Sequence, residues 1–311
     1  MKCCKLECIP GLIIAFLLPC GAQGASLIFE TTSPYHHIRV LDENGVRILC
    51  FDDGQETRMM VNNPLAGHFE YTEYFHMAWL WNTNITSVLM IGLGGGSAQR
   101  SFEHYYPDVK IDSVEIDSSV VRVARAYFRY EESDRQKIHV EDGRLFLRRS
   151  TGSYDLLILD AYVSGRYGSS IPQHLATKEF FELARNHLTT NGVLAYNVIG
   201  TLTSWRAEIV GALYRTLKSV FPEVYLFPAQ TSLNVVLVAT KAGIPAQVST
   251  LRPRAQLLTQ TKRVTLPGFT SRLERMQVYP PASTATSPVL TDDYAPVEGL
   301  AAAAQQNPSG K

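Results

Sequence analysis

From Ser87 to about Thr240 the chain alternates short apolar runs with longer stretches in which apolar and polar residues are mixed. The runs are Val88-Leu89-Met90-Ile91, Ile111 to Asp117, Ile138-His139-Val140, Tyr154 to Asp160, Val193 to Val198, Glu223 to Phe227 and Leu233 to Ala239. They predict seven strands, with helices between them, notably over Lys178–Leu188 and Ser204–Ser219. Such alternation predicts a mostly parallel sheet with helices on both faces. Only Pro228-Ala229-Gln230-Thr231-Ser232 separates the last two runs, so that pair is predicted to be antiparallel at the sheet's edge.

Before position 85 the pattern changes. Leu27-Ile28-Phe29-Glu30, His37-Ile38-Arg39-Val40 and Val46 to Phe51 are strand-like, and Asn44-Gly45 between the last two is a hairpin signal. Aromatics at spacings of three and four from Tyr71 to Trp81 predict a helix whose stripe serves the core or a subunit interface. Residues 25–84 are therefore read as a small β-rich N-terminal domain and 85–245 as the main α/β domain. Past Lys241 proline, serine and threonine accumulate. Residues 246–300 are read as a C-terminal extension with an ordered island at Thr291 to Glu298, and 301–311 as a disordered tail.

Residues 1–24 stand apart. Lys2 and Lys5 precede an apolar stretch, Gly11 to Leu18, that is too short to span a bilayer, and Ala22-Gln23-Gly24 offers small residues at alternate positions. This is the layout of a signal peptide with Ala25 as the mature N-terminus, and a secreted or periplasmic location is the expectation. A lipid anchor at Cys20 is disfavoured by Pro19 before it. An overextended start, giving a cytoplasmic protein, is the plainer alternative. Four of the five cysteines fall in this leader, leaving Cys50, read as a small buried apolar residue. The formal net charge is zero, which argues against nucleic acid as a partner.

The chemistry-bearing signal begins where the first apolar run ends. Gly92-Leu93-Gly94-Gly95-Gly96-Ser97 follows directly, and the second run closes on Glu115-Ile116-Asp117. Glycines let backbone approach a ligand where a strand turns into its helix, and an acid at the tip of the next strand can accept both hydroxyls of a ribose. In a G-x-G-x-x-G fingerprint the third glycine would fall on Ser97, and no lysine follows as a P-loop requires. A nucleoside without phosphates, S-adenosylmethionine or a relative, fits better than a dinucleotide. The predicted fold class is α/β: a Rossmann-like seven-stranded S-adenosylmethionine-dependent methyltransferase fold with a small N-terminal β domain.

In such a sheet the ligand lies beyond the carboxyl ends of the strands. Gly92, Gly94, Gly95, Gly96, Glu115, Asp117, Asp142 and Gly143 are the candidate nucleoside-binding positions. Asp142 is placed to meet the adenine amino group and Asp160 to face the reactive sulfonium. Asp117 opens the following helix, where capping is its competing role. No metal is called for.

From about Ser33 to Val238 the chain resembles the spermidine synthase family of aminopropyltransferases. The resemblance rests on Ser33-Pro34-Tyr35, Phe51-Asp52-Asp53-Gly54-Gln55, Tyr71-Thr72-Glu73, Glu115-Ile116-Asp117, Asp142-Gly143, Asp160 and Leu290 to Glu298. It implies S-adenosylmethionine or its decarboxylated form as co-substrate, and a small-molecule amine or other acceptor bound by Tyr35, His36, Tyr71 and Glu73. It also implies a homodimer through the N-terminal region. Asp160 would orient the attacking amine and take its proton, with Tyr162 or Tyr71 as hydrogen-bonding helpers.

Two acids of the family pattern are missing. Gly95 stands where the family's glycine loop carries an aspartate, and Val163 where its active-site loop carries a second one. Burying an ammonium group without a carboxylate costs several kcal/mol. Gly95 is expected to leave room, and a helix N-terminus there to favour a carboxylate over an ammonium. The alternatives to aminopropyl transfer are therefore methyl transfer from intact S-adenosylmethionine and a non-catalytic nucleoside-binding protein.

Overall fold

The computed structural model describes residues 24–165, 168–204 and 206–302; the proposed leader up to Gln23 and the tail beyond Ala302 lie outside the described residues. Four strands, β1 (Ser26–Thr32), β2 (His37–Glu43), β3 (Val46–Phe51) and β4 (Gly54–Met60), form an antiparallel meander in chain order. The β2–β3 turn is made by Asn44 and Gly45, both at positive φ, as the Asn-Gly signal predicts. Strand β4 escapes the sequence pattern because Gln55, Glu56, Thr57 and Arg58 make it read as polar loop, although Thr57 and Met59 alternate inward. Cys50 is fully buried beside Leu41 and Ile48.

The aromatic stretch is helical over Glu70–Leu80, but wound as a 3-10 helix. Buried residues occupy nearly all of it, from Tyr71 to Leu80, so it has no polar face turned to solvent. It lies inside the molecule and its stripe is core, as expected, with Tyr71 as the exception described below.

The main sheet contains β5 (Ser87–Ile91), β6 (Lys110–Glu115), β7 (Gln136–Val140) and β8 (Tyr154–Leu159). After a short hairpin, β9 (Val163–Gly165) and β10 (Gly168–Ser170), it continues with β11 (Leu188–Ile199), β12 (Glu223–Pro228) and β13 (Asn234–Thr240). Helices α1 (Ser97–Tyr105), α2 (Ser118–Tyr127), α3 (Gly143–Arg149), α4 (Lys178–Asn186) and α5 (Ala207–Lys218) connect the strands. The order is β12-β13-β11-β8-β5-β6-β7, parallel except for β13, which slots antiparallel between β11 and β12. The fold class is the one the sequence predicts.

Side chains of a strand alternate between faces, and the central strands use both. Val88, Met90, Leu156 and Ile158 face one apolar layer, and Leu89, Ile91, Leu157 and Leu159 face the other. The first layer holds the 3-10 helix, α1 and two C-terminal helices, α6 (Val248–Gln260) and α7 (Phe269–Leu273). The region read as a C-terminal extension thus completes the main core: Leu251, Ala255, Leu258, Phe269 and Leu273 share a cluster with Trp79 and Leu80. Gln277 bridges Leu226 and so covers the outer edge of β12. A last helix, α8 (Val297–Ala302), buries Ala301 and Ala302, the first two residues of the predicted disordered tail.

One further contact positions the site. Ile38, Val40, Leu49 and Met59 of the N-terminal sheet pack on Val120 and Val123 of α2 and on Phe128. That packing hangs the β3–β4 corner over the carboxyl ends of the main strands.

Candidate active site

From β5 the chain runs outward through β6 and β7, then returns to place β8 on the other side of β5. Connections diverge there, and the carboxyl ends of β5 and β8 open a crevice. Gly92 makes this possible. It sits at φ 101°, and a Cβ on it would lie 2.1 Å from the Asp160 carbonyl oxygen, so any side chain would force the two strand ends apart.

The crevice is a cavity of about 280 Å³. Of the residues singled out from sequence, Tyr35, His36, Tyr71, Gly92, Gly94, Glu115, Asp142, Gly143, Asp160 and Tyr162 line it. Gly95, Gly96, Asp117 and Glu73 do not.

On the β6 side Glu115 is held by backbone. One carboxylate oxygen accepts from Leu93 N in the glycine loop at 3.0 Å and the other from Asp117 N at 3.0 Å. Burial pushes its pKa up while these amides pull it down. Each oxygen retains a lone pair, which is what a vicinal diol would use. Asp142 caps α3 through Leu145 N at 2.9 Å, and its second oxygen meets His174 Nε2 at 2.7 Å. That hydrogen bond, more than anything else, holds its carboxyl below the usual range. His174, unforeseen in the sequence, also lines the cavity.

On the β8 side Asp160 receives Asn197 Nδ2 at 2.8 Å and the Tyr71 hydroxyl at 3.0 Å. Asn197 in turn accepts from Asn234 Nδ2 at 3.0 Å. Burial raises the Asp160 pKa to about 6, against the pull of these two donors. Both donors are neutral, and among the described residues no cation pairs with the carboxylate. Asn197 and Asn234 were missed, yet each is an amide set in an otherwise apolar strand, and that anomaly was legible.

Several expectations are corrected. Tyr162 lines the cavity with its ring, but its hydroxyl donates to Asn197 O at 2.8 Å and accepts from Ile199 N at 3.0 Å. It clamps the loop after β8 to β11, and of the two tyrosines it is Tyr71 whose hydroxyl meets Asp160. Asp117 is the cap of α2, accepting from Ser119 N at 2.7 Å. Glu73 pairs with His68 at 2.8 Å and with Arg272 of α7, outside the cavity. Gly96 is the residue before α1, its backbone against Tyr130.

Gly95 leaves no room either. A Cβ there would sit 2.6 Å from Thr57 Cγ2 and 2.9 Å from the Phe128 ring, and its N–H donates to Thr57 Oγ1 at 2.9 Å. Thr57 of β4 and Phe128 occupy the space that an aspartate at 95 would need.

Glu115, Asp142 and Asp160 thus line one cleft at the carboxyl ends of a Rossmann-like sheet, the arrangement of an α/β protein with an acidic ligand cavity. The chain belongs to the spermine/spermidine synthase family, whose domain matches residues 68–242. It is 30% identical over 304 residues to the polyamine aminopropyltransferase of Vibrio vulnificus, covering 93% of this chain and 96% of that one. A probable spermidine synthase from Corynebacterium glutamicum shares the fold at TM-score 0.67 and 18% identity, over 86% of this chain and 98% of that one. Human methyltransferase-like protein 13 in complex with SAH also superposes, at TM-score 0.53 and 25% identity, over 63% of this chain and 91% of that one.

Proposed function

We propose that this protein transfers the aminopropyl group of decarboxylated S-adenosylmethionine to a small amine. The observation that carries the reading is the Asp160 carboxyl, fixed by Tyr71 and Asn197 at the mouth of β8 with no cation paired to it among the described residues. A neutral amine attacks the methylene carbon bound to sulfur. The C–N bond forms as the C–S bond breaks, the electron pair stays on sulfur, and methylthioadenosine leaves. The new ammonium's proton passes to Asp160, which is ionised above about pH 6 and so ready to accept it. Sulfonium is already a good leaving group, and alignment of the two reactants is most of the task. Glu115 and Asp142 hold the nucleoside.

A second reading, methyl transfer from intact S-adenosylmethionine, is favoured by one observation: no carboxylate stands at Gly95 to hold the amine of the aminopropyl arm. Incubating the protein with each nucleoside and a panel of amines, with mass analysis of products, decides between them. Aminopropylated amine plus methylthioadenosine supports the first. Methylated product plus S-adenosylhomocysteine from intact nucleoside alone sinks it.

A homodimer and an exported chain beginning at Ala25 belong to the same proposal. In support of export, β1 starts at Ser26, directly after the cleavage position. N-terminal sequencing of protein from its native host tests it, and recovery of Met1 would refute it.

A further inference from the structure

The loss of the family's second active-site aspartate leaves Val163 at the first position of β9. The β9–β10 hairpin pairs Val163 with Ser170, and the neighbouring Ser169 hydroxyl donates to Glu56 at 2.9 Å. Glu56 is on β4, in the N-terminal sheet, and reaches the wall of the same cavity that Asp160 lines. The strand carrying a surplus acid thus docks on the hairpin that has lost one.

We propose that Glu56 replaces the missing aspartate, binding the distal ammonium of an aliphatic diamine whose other nitrogen attacks beside Asp160. This rests on the aminopropyl-transfer reading and adds to it the residue that holds the acceptor's far end. The carboxyl is partly buried and lines the cleft. Its hydrogen-bonding partner is neutral Ser169, and no cation pairs with it among the described residues. Burial, with the charges of Asp160 and Asp52 added, raises its pKa to about 7 against the pull of Ser169. Two carboxyl groups lining one cleft, the charge of one disfavouring ionisation of the other, are what a dication would satisfy. Of the other charged or titratable neighbours, Tyr71 and Tyr162 stay protonated, their pKa values raised by burial and by the same acids. His36 is held toward its neutral form by burial, and Arg206 donates to Ser169 O at 2.9 Å.

The test is calorimetric titration of 1,4-diaminobutane and of n-butylamine into the protein saturated with methylthioadenosine, at pH 7 in two buffers of different ionisation enthalpy. The unmodified protein should bind the diamine tighter than the monoamine and release protons as Glu56 ionises. Glu56→Gln should weaken the diamine at least tenfold, abolish that proton release and leave both n-butylamine and methylthioadenosine binding unchanged. Glu56→Asp, which keeps the charge on a shorter arm, should move the preference toward 1,5-diaminopentane. Diamine binding within twofold of the unmodified protein in Glu56→Gln, or no diamine binding by the unmodified protein, overturns the assignment. Diamine bound through Glu56 without product from the decarboxylated nucleoside would sink the proposed reaction and keep this site. Product formed with unchanged diamine constants in Glu56→Gln would do the reverse.

Discussion

The two walls of the crevice are built on different principles. On the nucleoside wall the contacts are short in sequence: Leu93 to Glu115 spans 22 positions and Asp142 to Leu145 spans 3. Backbone amides do most of the holding, with His174 on the second oxygen of Asp142 as the exception. On the acceptor wall side chains hold side chains across the chain: Tyr71 and Asp160 are 89 positions apart, and Glu56 and Ser169 are 113. A wall made of local backbone contacts keeps its ligand through large sequence change, because any residue supplies an N–H. A wall made of distant side chains can exchange one acid for another from a different strand. On the proposed function, the first would hold the nucleoside, and the second is where acceptor specificity would be free to move.

Asp160→Asn tests the acceptor wall hardest. It should lower kcat by on the order of 10²- to 10⁴-fold, the usual worth of a positioned general base, with methylthioadenosine affinity near that of the parent. An equal loss in both would mean the walls are not separable. Glu115→Ala should do the opposite, weakening nucleoside binding by about 2 kcal/mol, roughly 30-fold, while the diamine constant measured at saturating nucleoside stays put. Unchanged nucleoside affinity in a folded Glu115→Ala protein would place the ligand elsewhere.

A smaller effect is expected from Asn197→Ala, which touches no reacting atom. Donation from Asn197 lowers the Asp160 pKa, so its loss should raise the acid limb of kcat/KM above about pH 6 and cost most of the rate on that side. The drop should be about tenfold at pH 6 and less at pH 8. A uniform drop at all pH values would mean only that the strand had moved. The smallest change concerns the double variant Gly95→Asp with Val163→Asp, which restores the family's pattern on paper. No gain in diamine turnover is expected, since the new side chain at 95 runs into Thr57 and Phe128. Overpacking there should lower stability by about 1–3 kcal/mol, read from thermal or urea unfolding. Improved diamine turnover would show that β4 yields.

The same division explains what was legible in the sequence. The glycine loop, Glu115, Asp142 and Asp160 announce themselves because strand ends, turns and helix starts are local patterns, and the strand alternation they sit in is local too. Strand β4 was hidden by its polar face, and with it Glu56, whose meaning comes from a hairpin more than a hundred positions away. Gly95 misled for a like reason: the absence of a side chain reads as space, but Thr57 and Phe128 fill that space from elsewhere. Glu73 looked available until Arg272 of α7 was seen beside it.

The helix that delivers the Tyr71 hydroxyl has one more consequence, which lies in the order of synthesis. A chain leaving the ribosome presents that helix early and Asp160 midway. The apolar cover formed by α6 and α7 comes near the end. Until then Trp79 and Leu80 have only the sheet and α1 to pack against, and the helix that carries the tyrosine lacks the rest of its apolar cover. Early and late segments have to meet before the middle of the chain can work. Such a long-range dependence slows folding and keeps the nascent protein catalytically silent until its last helices are delivered.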